Sequence, residues 1–193
     1  MHLGEVEIDG ADFLEQEYRT LLKAEKREEA LPLKQKRVAE RSQHAAGFFG
    51  RAMEGLHLIA EHTSSCGIRL GIENRYHWFQ VPSFDELREI FRLFPSATIG
   101  YWHDVGHAQT MENTGFTSQR TDLEAFGSRL LGCHLMDCVF DRDHLACGTG
   151  EIDFSVIAPF LNDVALKIFE LGHAATREEI AASVPYLAKF GIR

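Results

Sequence analysis

The 193-residue sequence lacks long hydrophobic runs, paired cysteine motifs and an excess of basic residues. No apolar stretch approaches the ~18 residues that a transmembrane helix requires. The first residues show neither the basic nor the apolar region of a secretory signal, so a cytoplasmic location is expected. The four cysteines have no CxxC spacing, which favours reduced thiols over a disulfide framework or a zinc knuckle.

The charge balance is acidic, with 20 Lys and Arg against 29 Asp and Glu and a formal net charge of -9. An acidic surface repels phosphate backbones, so neither nucleic acid nor a membrane is expected as a partner. The length suits one domain with a sizeable core, and no repeat or low-complexity linker divides the chain. We therefore expect a single domain over residues 1–193.

Short apolar segments alternate with helix-forming segments, and this alternation predicts a parallel α/β sheet. Strands are expected at about residues 2–8, 68–73, 97–103, 130–136 and 165–170. Helices are expected at about residues 11–30, 34–63, 83–94, 119–128, 153–162 and 176–190. Pro32 should separate the first two helices, because proline disfavours helix before it. Ser83 with Glu86 and Thr176 with Glu179 have the spacing of capping boxes.

Four of the predicted strands carry a residue that can bind a metal ion at or near their carboxyl ends. A buried carboxylate is costly unless it is paired or bound to a cation. Because the carboxyl ends of parallel strands meet at one edge of a sheet, these side chains should form one metal site, which indicates an enzyme. The set is Glu73, Asp104, His134 and Glu170. The alternative for Glu73 is a salt bridge to Arg75 or Arg69.

Two short motifs add candidates. In Asp104-Val-Gly-His107, the glycine allows a sharp turn, so that Asp104 and His107 point into one cleft. The alternative is a capping aspartate with a surface histidine. In His134-Leu-Met-Asp137, residues three apart in a strand face opposite ways. We therefore favour His134 as the ligand, with Asp137 orienting it or a neighbour.

The polar segment of residues 141–150 follows the strand of His134. It contains Arg142 and His144, and Gly148 and Gly150 permit tight backbone near a ligand. We interpret it as an active-site loop, with an ordinary surface turn as the alternative.

The motifs Gly-Ile-Glu-Asn, Trp-His-Asp-Val-Gly-His, His-Leu-Met-Asp and Asp-His-Leu-Ala-Cys-Gly-Thr-Gly-Glu-Ile-Asp-Phe follow one another along nearly the whole chain. Their order resembles the xylose isomerase-like TIM-barrel superfamily, which includes sugar-phosphate isomerases and epimerases and the endonuclease IV class. The resemblance implies an α/β fold of (β/α) TIM-barrel type. Of the eight β/α units of a full barrel about five are present, and the first, around His2, resembles the fourth.

Three N-terminal units are therefore expected to be missing, which would leave two open sheet edges. The chain could be a fragment, its start could have been assigned late, or another chain could cover the edges, for example in a homo-oligomer.

The resemblance also implies residue roles. In the epimerase branch, Glu, Asp, His and Glu from successive strands hold one divalent metal ion, and the matching residues are Glu73, Asp104, His134 and Glu170. His107 would contact the substrate. The endonuclease branch adds ligands near the positions of His2 and His144. The full group of substrate-binding or second-metal candidates is His107, His144, Asn74, Asp137, Arg142 and His2.

The implied activity is isomerisation or epimerisation of a sugar or sugar phosphate. It would run through a metal-stabilised cis-enediolate, with Glu73 and Glu170 as the two acid/bases. An oxygen-rich ligand set with one imidazole suits Mn²⁺, Mg²⁺ or Co²⁺, and Zn²⁺ gains ground if His107 and His144 also coordinate. The alternatives are a non-catalytic metal- or sugar-binding barrel remnant and a metal-dependent DNA-repair nuclease. The acidic charge and the incomplete histidine set argue against the nuclease.

Overall fold

Four parallel strands form the central sheet of the computed structural model, which describes all 193 residues. The strands are β1 (Leu70–Glu73), β2 (Ile99–Asp104), β3 (Leu130–Leu135) and β6 (Leu166–Phe169), adjacent in the order β1-β2-β3-β6. The register pairs Glu73 with Trp102, Asp104 with His134, and His134 with Ile168. The carboxyl ends of the strands therefore lie side by side. Strands β4 (Asp137–Val139) and β5 (Arg142–Leu145) form a separate antiparallel hairpin.

Seven α-helices accompany the sheet. They are α1 (Ala11–Lys23), α2 (Arg27–Ser65), α3 (Phe84–Leu93), α4 (Val105–Asn113), α5 (Gln119–Phe126), α6 (Phe154–Leu161) and α7 (Arg177–Ala188). The predicted capping boxes are present, Ser83 with Glu86 at α3 and Thr176 with Glu179 at α7. None of the helices has the length and apolar character needed to traverse a lipid bilayer.

Some local predictions are wrong. Pro32 lies inside α2 instead of separating two helices, because a long helix keeps its hydrogen bonds on both sides of one proline. The break comes earlier, near Glu25, which has a positive φ of 60°. The strand expected at residues 2–8 is reduced to one antiparallel bridge between Glu5 and Gln80.

Two elements were expected to be loop. Helix α4 begins directly after β2, and the side chain of Asp104 caps it by accepting a hydrogen bond from the N–H of His107. The hairpin β4–β5 lies where the polar loop was expected. Its strands are too short for alternation to be visible in the sequence, and Phe140 at its tip has a positive φ of 57°.

The main core lies on one face of the sheet. Ile72, Tyr101 and Cys133 are fully buried in the hydrophobic cluster that the outer helices complete. Alternate strand residues point the other way, so the ligand candidates lie on the opposite face. On that face Leu166 and Ile168 of β6 are 52% and 47% exposed, and β6 pairs with a neighbour on one side only. The sheet is open and does not close into a barrel.

Candidate metal centre

At the carboxyl edge of the sheet the structure brings four candidate ligands together. One donor atom from each lies within 4.8 Å of every other, and the four residues are Glu73, Asp104, His134 and Glu170. Nδ1 of His134 is at the centre, 2.7 Å from Oε2 of Glu170. The same atom lies 3.2 Å from Oε1 of Glu73 and 3.2 Å from Oδ2 of Asp104. The result is an oxygen-rich donor set with a single imidazole.

A different strand positions each member of this four-residue group. Glu73 and Asp104 are the last residues of β1 and β2, and they are 5% and 0% exposed. Glu170 follows the edge strand β6, and its side chain is 44% exposed. Asp104 uses Oδ1 to cap α4 and directs Oδ2 toward His134. One carboxylate therefore serves both as the helix cap and as a member of the group.

The charges within the group stabilise one another. Burial disfavours the imidazolium form of His134, but hydrogen bonds to Asp104 and Glu73 outweigh it and raise the pKa of His134 to about 10. Burial alone would raise the carboxyl pKa of Glu73 and of Asp104, yet the hydrogen bond with His134 lowers the pKa in both cases. With no ion bound, a proton on His134 therefore holds the carboxylates together.

The group fits a divalent cation. Oε2 of Glu170 is buried and has no hydrogen-bond partner, since its contact with His134 is close but poorly aligned. When His134 is neutral this oxygen has no cationic partner, and a divalent ion would supply one. The salt bridges proposed as the alternative for Glu73 do not form. Arg69 donates to the carbonyl of Ser96, and Arg75 donates to the carbonyl of Trp78.

A second cluster lies beside the first and consists of His107, Asp143 and His144. Oδ1 of Asp143 is 2.8 Å from Nδ1 of His144, and Oδ2 is 3.8 Å from Nε2 of His107. That Oδ2 atom is buried without a hydrogen-bond partner. Burial opposes the imidazolium of His144, but the hydrogen bond with Asp143 raises its pKa.

The two groups share a border. Nδ1 of His107 lies 3.7 Å from Oε1 of Glu73, and Nε2 of His144 lies 3.8 Å from Oε1 of Glu170. Sequence reasoning singled out both histidines but missed Asp143. The available signal was its place in the polar Asp-Arg-Asp-His segment, directly before His144.

Asn74 is buried, and its side chain joins two strands. Its Nδ2 donates to the carbonyl of Asp104 at 3.0 Å, and its Oδ1 accepts from the N–H of Asp104 at 2.7 Å. Both ends of the amide are thus engaged with the backbone of β2. Asn74 thereby supports Asp104, and its contact with substrate or a second ion stays a prediction.

Asp137 is also engaged with backbone. Its carboxylate accepts hydrogen bonds from the N–H groups of Cys138, Gly148 and Ile152 at 2.9, 2.8 and 3.1 Å. These bonds hold the glycine-containing loop against the start of the hairpin. Asp137 makes no hydrogen bond with His134, and of the two expected roles, orienting His134 or orienting a neighbour, its contacts fit the second.

The last two candidates are His2, which contacts the four-residue group, and Arg142, which does not. Nε2 of His2 lies 3.2 Å from Oε2 of Glu73, with 56% of the His2 side chain exposed. Arg142 is exposed and forms no ion pair with the group. Together with His144 it lines a neighbouring cavity of about 240 Å³.

Comparison with known proteins identifies the family to which the chain belongs. Residues 19–189 match the family of xylose isomerase-like TIM barrels, and the chain belongs to this family. The chain is 28% identical over 109 residues to the uncharacterised protein MJ1311 of Methanocaldococcus jannaschii, which covers 55% of this chain and 36% of that protein.

Two solved structures are similar in fold. A D-tagatose 3-epimerase-like protein superposes with a TM-score of 0.62 at 24% identity, covering 77% of this chain and 56% of that one. The 3-keto-D-glucoside 4-epimerase YcjR from E. coli gives a TM-score of 0.58 at 15% identity, covering 74% and 54%. The chain spans about half of these solved structures and about a third of MJ1311. The predicted α/β fold of partial TIM-barrel type is confirmed.

Proposed function

We propose that the chain is a divalent-metal-dependent isomerase or epimerase of a sugar or sugar phosphate. The observation that carries this proposal is the convergence of the four-residue group at the carboxyl edge of the sheet. The two solved structures of similar fold are named as sugar epimerases or as epimerase-like, which supports the same reaction class. A divalent ion in this group would act as a Lewis acid and polarise a substrate carbonyl.

Glu73 and Glu170 are the proposed acid and base. Glu73 ends one outermost strand and Glu170 follows the other, and they lie 3.2 and 2.7 Å from Nδ1 of His134. One carboxylate would remove the proton on the carbon next to the carbonyl of a hydroxy-ketone, giving a cis-enediolate. The other would return a proton to it. The exposure of Glu170 gives it access to a substrate that enters from solvent.

The second cluster extends the proposal. His107, Asp143 and His144 would hold either substrate hydroxyl groups or a second ion next to the first. The unpartnered, buried Oδ2 of Asp143 supports this assignment, because it leaves an acceptor available. Two imidazoles beside a carboxylate favour Zn²⁺ over Mg²⁺.

We further propose that copies of the chain associate through the open edge of β6. A free strand edge with exposed apolar side chains, here Leu166 and Ile168, is a template for pairing with another chain. Sedimentation velocity should therefore detect a species larger than the 21.8 kDa monomer. A monomer at every concentration would contradict the association.

Solvent isotope exchange tests the chemistry directly. Protein loaded with Mn²⁺, Co²⁺ or Zn²⁺ is incubated in D₂O with a panel of ketoses and ketose phosphates, and deuterium at the substrate α-carbon is measured by NMR. Glu73→Gln and Glu170→Gln should each abolish incorporation. Glu61→Gln, an exposed site on α2, should behave as the wild type.

Retained exchange in both glutamine variants would refute the two-base assignment. Tight metal binding without exchange for any ketose would favour the non-catalytic barrel remnant. Cleavage of an abasic-site duplex in place of exchange would favour the nuclease.

A further inference from the structure

The β4–β5 hairpin carries two members of the second cluster, and helix α1 holds its tip from outside the sheet. The backbone carbonyl of Asp141 accepts a hydrogen bond from the hydroxyl of Tyr76 at 2.6 Å. The carboxylate of the same residue lies 2.7 Å from Nζ of Lys23 in α1. Asp141 is two residues before Asp143, so a displacement of the tip would move Asp143 and His144 with it.

Tyr76 connects this tip to the third member of the cluster. One side of its ring is covered by the guanidinium of Arg19, whose carbon lies 4.6 Å from the ring centroid. The ring also packs edge-on against His107, with centroids 5.5 Å apart and planes at 67°. The same side chain therefore touches His107 directly and reaches Asp143 and His144 through the hairpin tip.

Arg19 fixes the orientation of Tyr76. It is 7% exposed, and its Nη1 donates to the Tyr76 hydroxyl at 2.8 Å. Its Nη2 donates to Oε1 of Glu15 at 2.9 Å, and Glu15 also contacts the ring of His77. Burial of such a charged network adds little stability by itself, because desolvation offsets the attraction. Its geometry instead restricts the tyrosine to one position.

We propose that Tyr76, oriented by Arg19, is a positioning residue that sets the distance between His107 and the pair Asp143 and His144. Neither Tyr76 nor Arg19 forms a hydrogen bond or ion pair with the four-residue group. Tyr76 and Arg19 would therefore set the geometry of the second cluster and leave the geometry of the four-residue group unchanged. The use of the cluster in catalysis rests on the proposed function, whereas the positioning itself does not.

A matched pair of variants tests this role. Tyr76→Phe keeps the ring against His107 but removes the hydroxyl that accepts from Arg19 and donates to the carbonyl of Asp141, leaving between Arg19 and the hairpin only the ion pair of Arg19 with Asp141 at 3.8 Å. Tyr18→Phe removes a comparable buried hydroxyl in α1, which donates to the carbonyl of Thr114 at 2.8 Å and makes no hydrogen bond to the hairpin. In the metal-free protein, amide hydrogen exchange of residues 137–147 should be about fivefold faster in Tyr76→Phe, as expected for the loss of one hydrogen bond. It should be unchanged in Tyr18→Phe.

Co²⁺ titration followed by absorption gives a second readout. The first ion should bind Tyr76→Phe as tightly as the wild type, and the second about tenfold more weakly. Equal hairpin exchange in the two variants, or equal weakening of both ions, would overturn the positioning role. A wild-type chain that binds no Co²⁺ would overturn the proposed function, and the exchange rates would still decide the role of Tyr76.

Discussion

Metal binding should compete directly with the proton on His134. A histidine ligand must be neutral, but the surrounding carboxylates raise the pKa of this residue to about 10. At pH 7 only about one molecule in a thousand then has a neutral His134. The apparent dissociation constant for the ion should therefore fall about tenfold for each pH unit between pH 7 and 9, with about one proton released per ion.

Calorimetric titration with Co²⁺ in buffers of different ionisation enthalpy counts the released protons. His103→Gln is the control. His103 precedes Asp104 in β2 and is fully buried. Burial lowers the pKa of His103 to about 4, so this histidine is neutral throughout this range. A dissociation constant that is independent of pH would refute the reasoning. So would proton release that persists in His134→Gln.

Other properties follow from the same contacts. Asn74→Ala removes the two side-chain hydrogen bonds from Asn74 to the backbone of Asp104, so urea unfolding should show a loss of about 2 kcal/mol. An Asn74→Ala variant as stable as the wild type would contradict a stabilising role for these two hydrogen bonds. In Gly150→Ala the new Cβ would overlap the carboxylate of Asp137, so the free energy of unfolding should fall by about 1–3 kcal/mol. The control is Gly55→Ala, where the new Cβ meets open space and stability should be unchanged or slightly higher. The folded-state pKa of His134 lies above its unfolded value of about 6.5, so its ion pairs stabilise the metal-free fold fully below about pH 6.5 and are lost as the pH rises through 10. Urea midpoints that rise from pH 7 to 10 would contradict that sign.

The sequence was informative where local chemistry decides the structure. The strands that end at Glu73 and Asp104 are apolar runs that stop at a charge, and the parallel arrangement follows from their alternation with helices. The convergence of four ligand candidates follows in turn from that arrangement. The capping boxes of α3 and α7 depend on two side chains three residues apart, which a sequence displays directly.

Features that depend on distant contacts were not visible in the same way. The engagement of Asn74 with β2 and of Asp137 with three backbone N–H groups depends on where other segments lie. From the sequence, both residues were candidates for binding substrate or a second ion, and Asp137 also for orienting His134 or a neighbour. Asp143 was overlooked for a related reason. His144 follows it directly in the sequence, but His107 comes from α4, and only the fold brings His107 next to Asp143.

The exposed edge strand has a consequence for handling the protein. β6 is joined to the sheet through β3 alone, yet Glu170 at its end converges with Glu73 at the end of the opposite outer strand. An ion shared by these two residues would fasten the first strand to the last and restrain the long chain segment between them. Without the ion, only the contact with protonated His134 links Glu170 to the other carboxylates, so the least buried strand should open first. Chelators should thus expose the C-terminal region to proteases well before the remainder of the fold is lost.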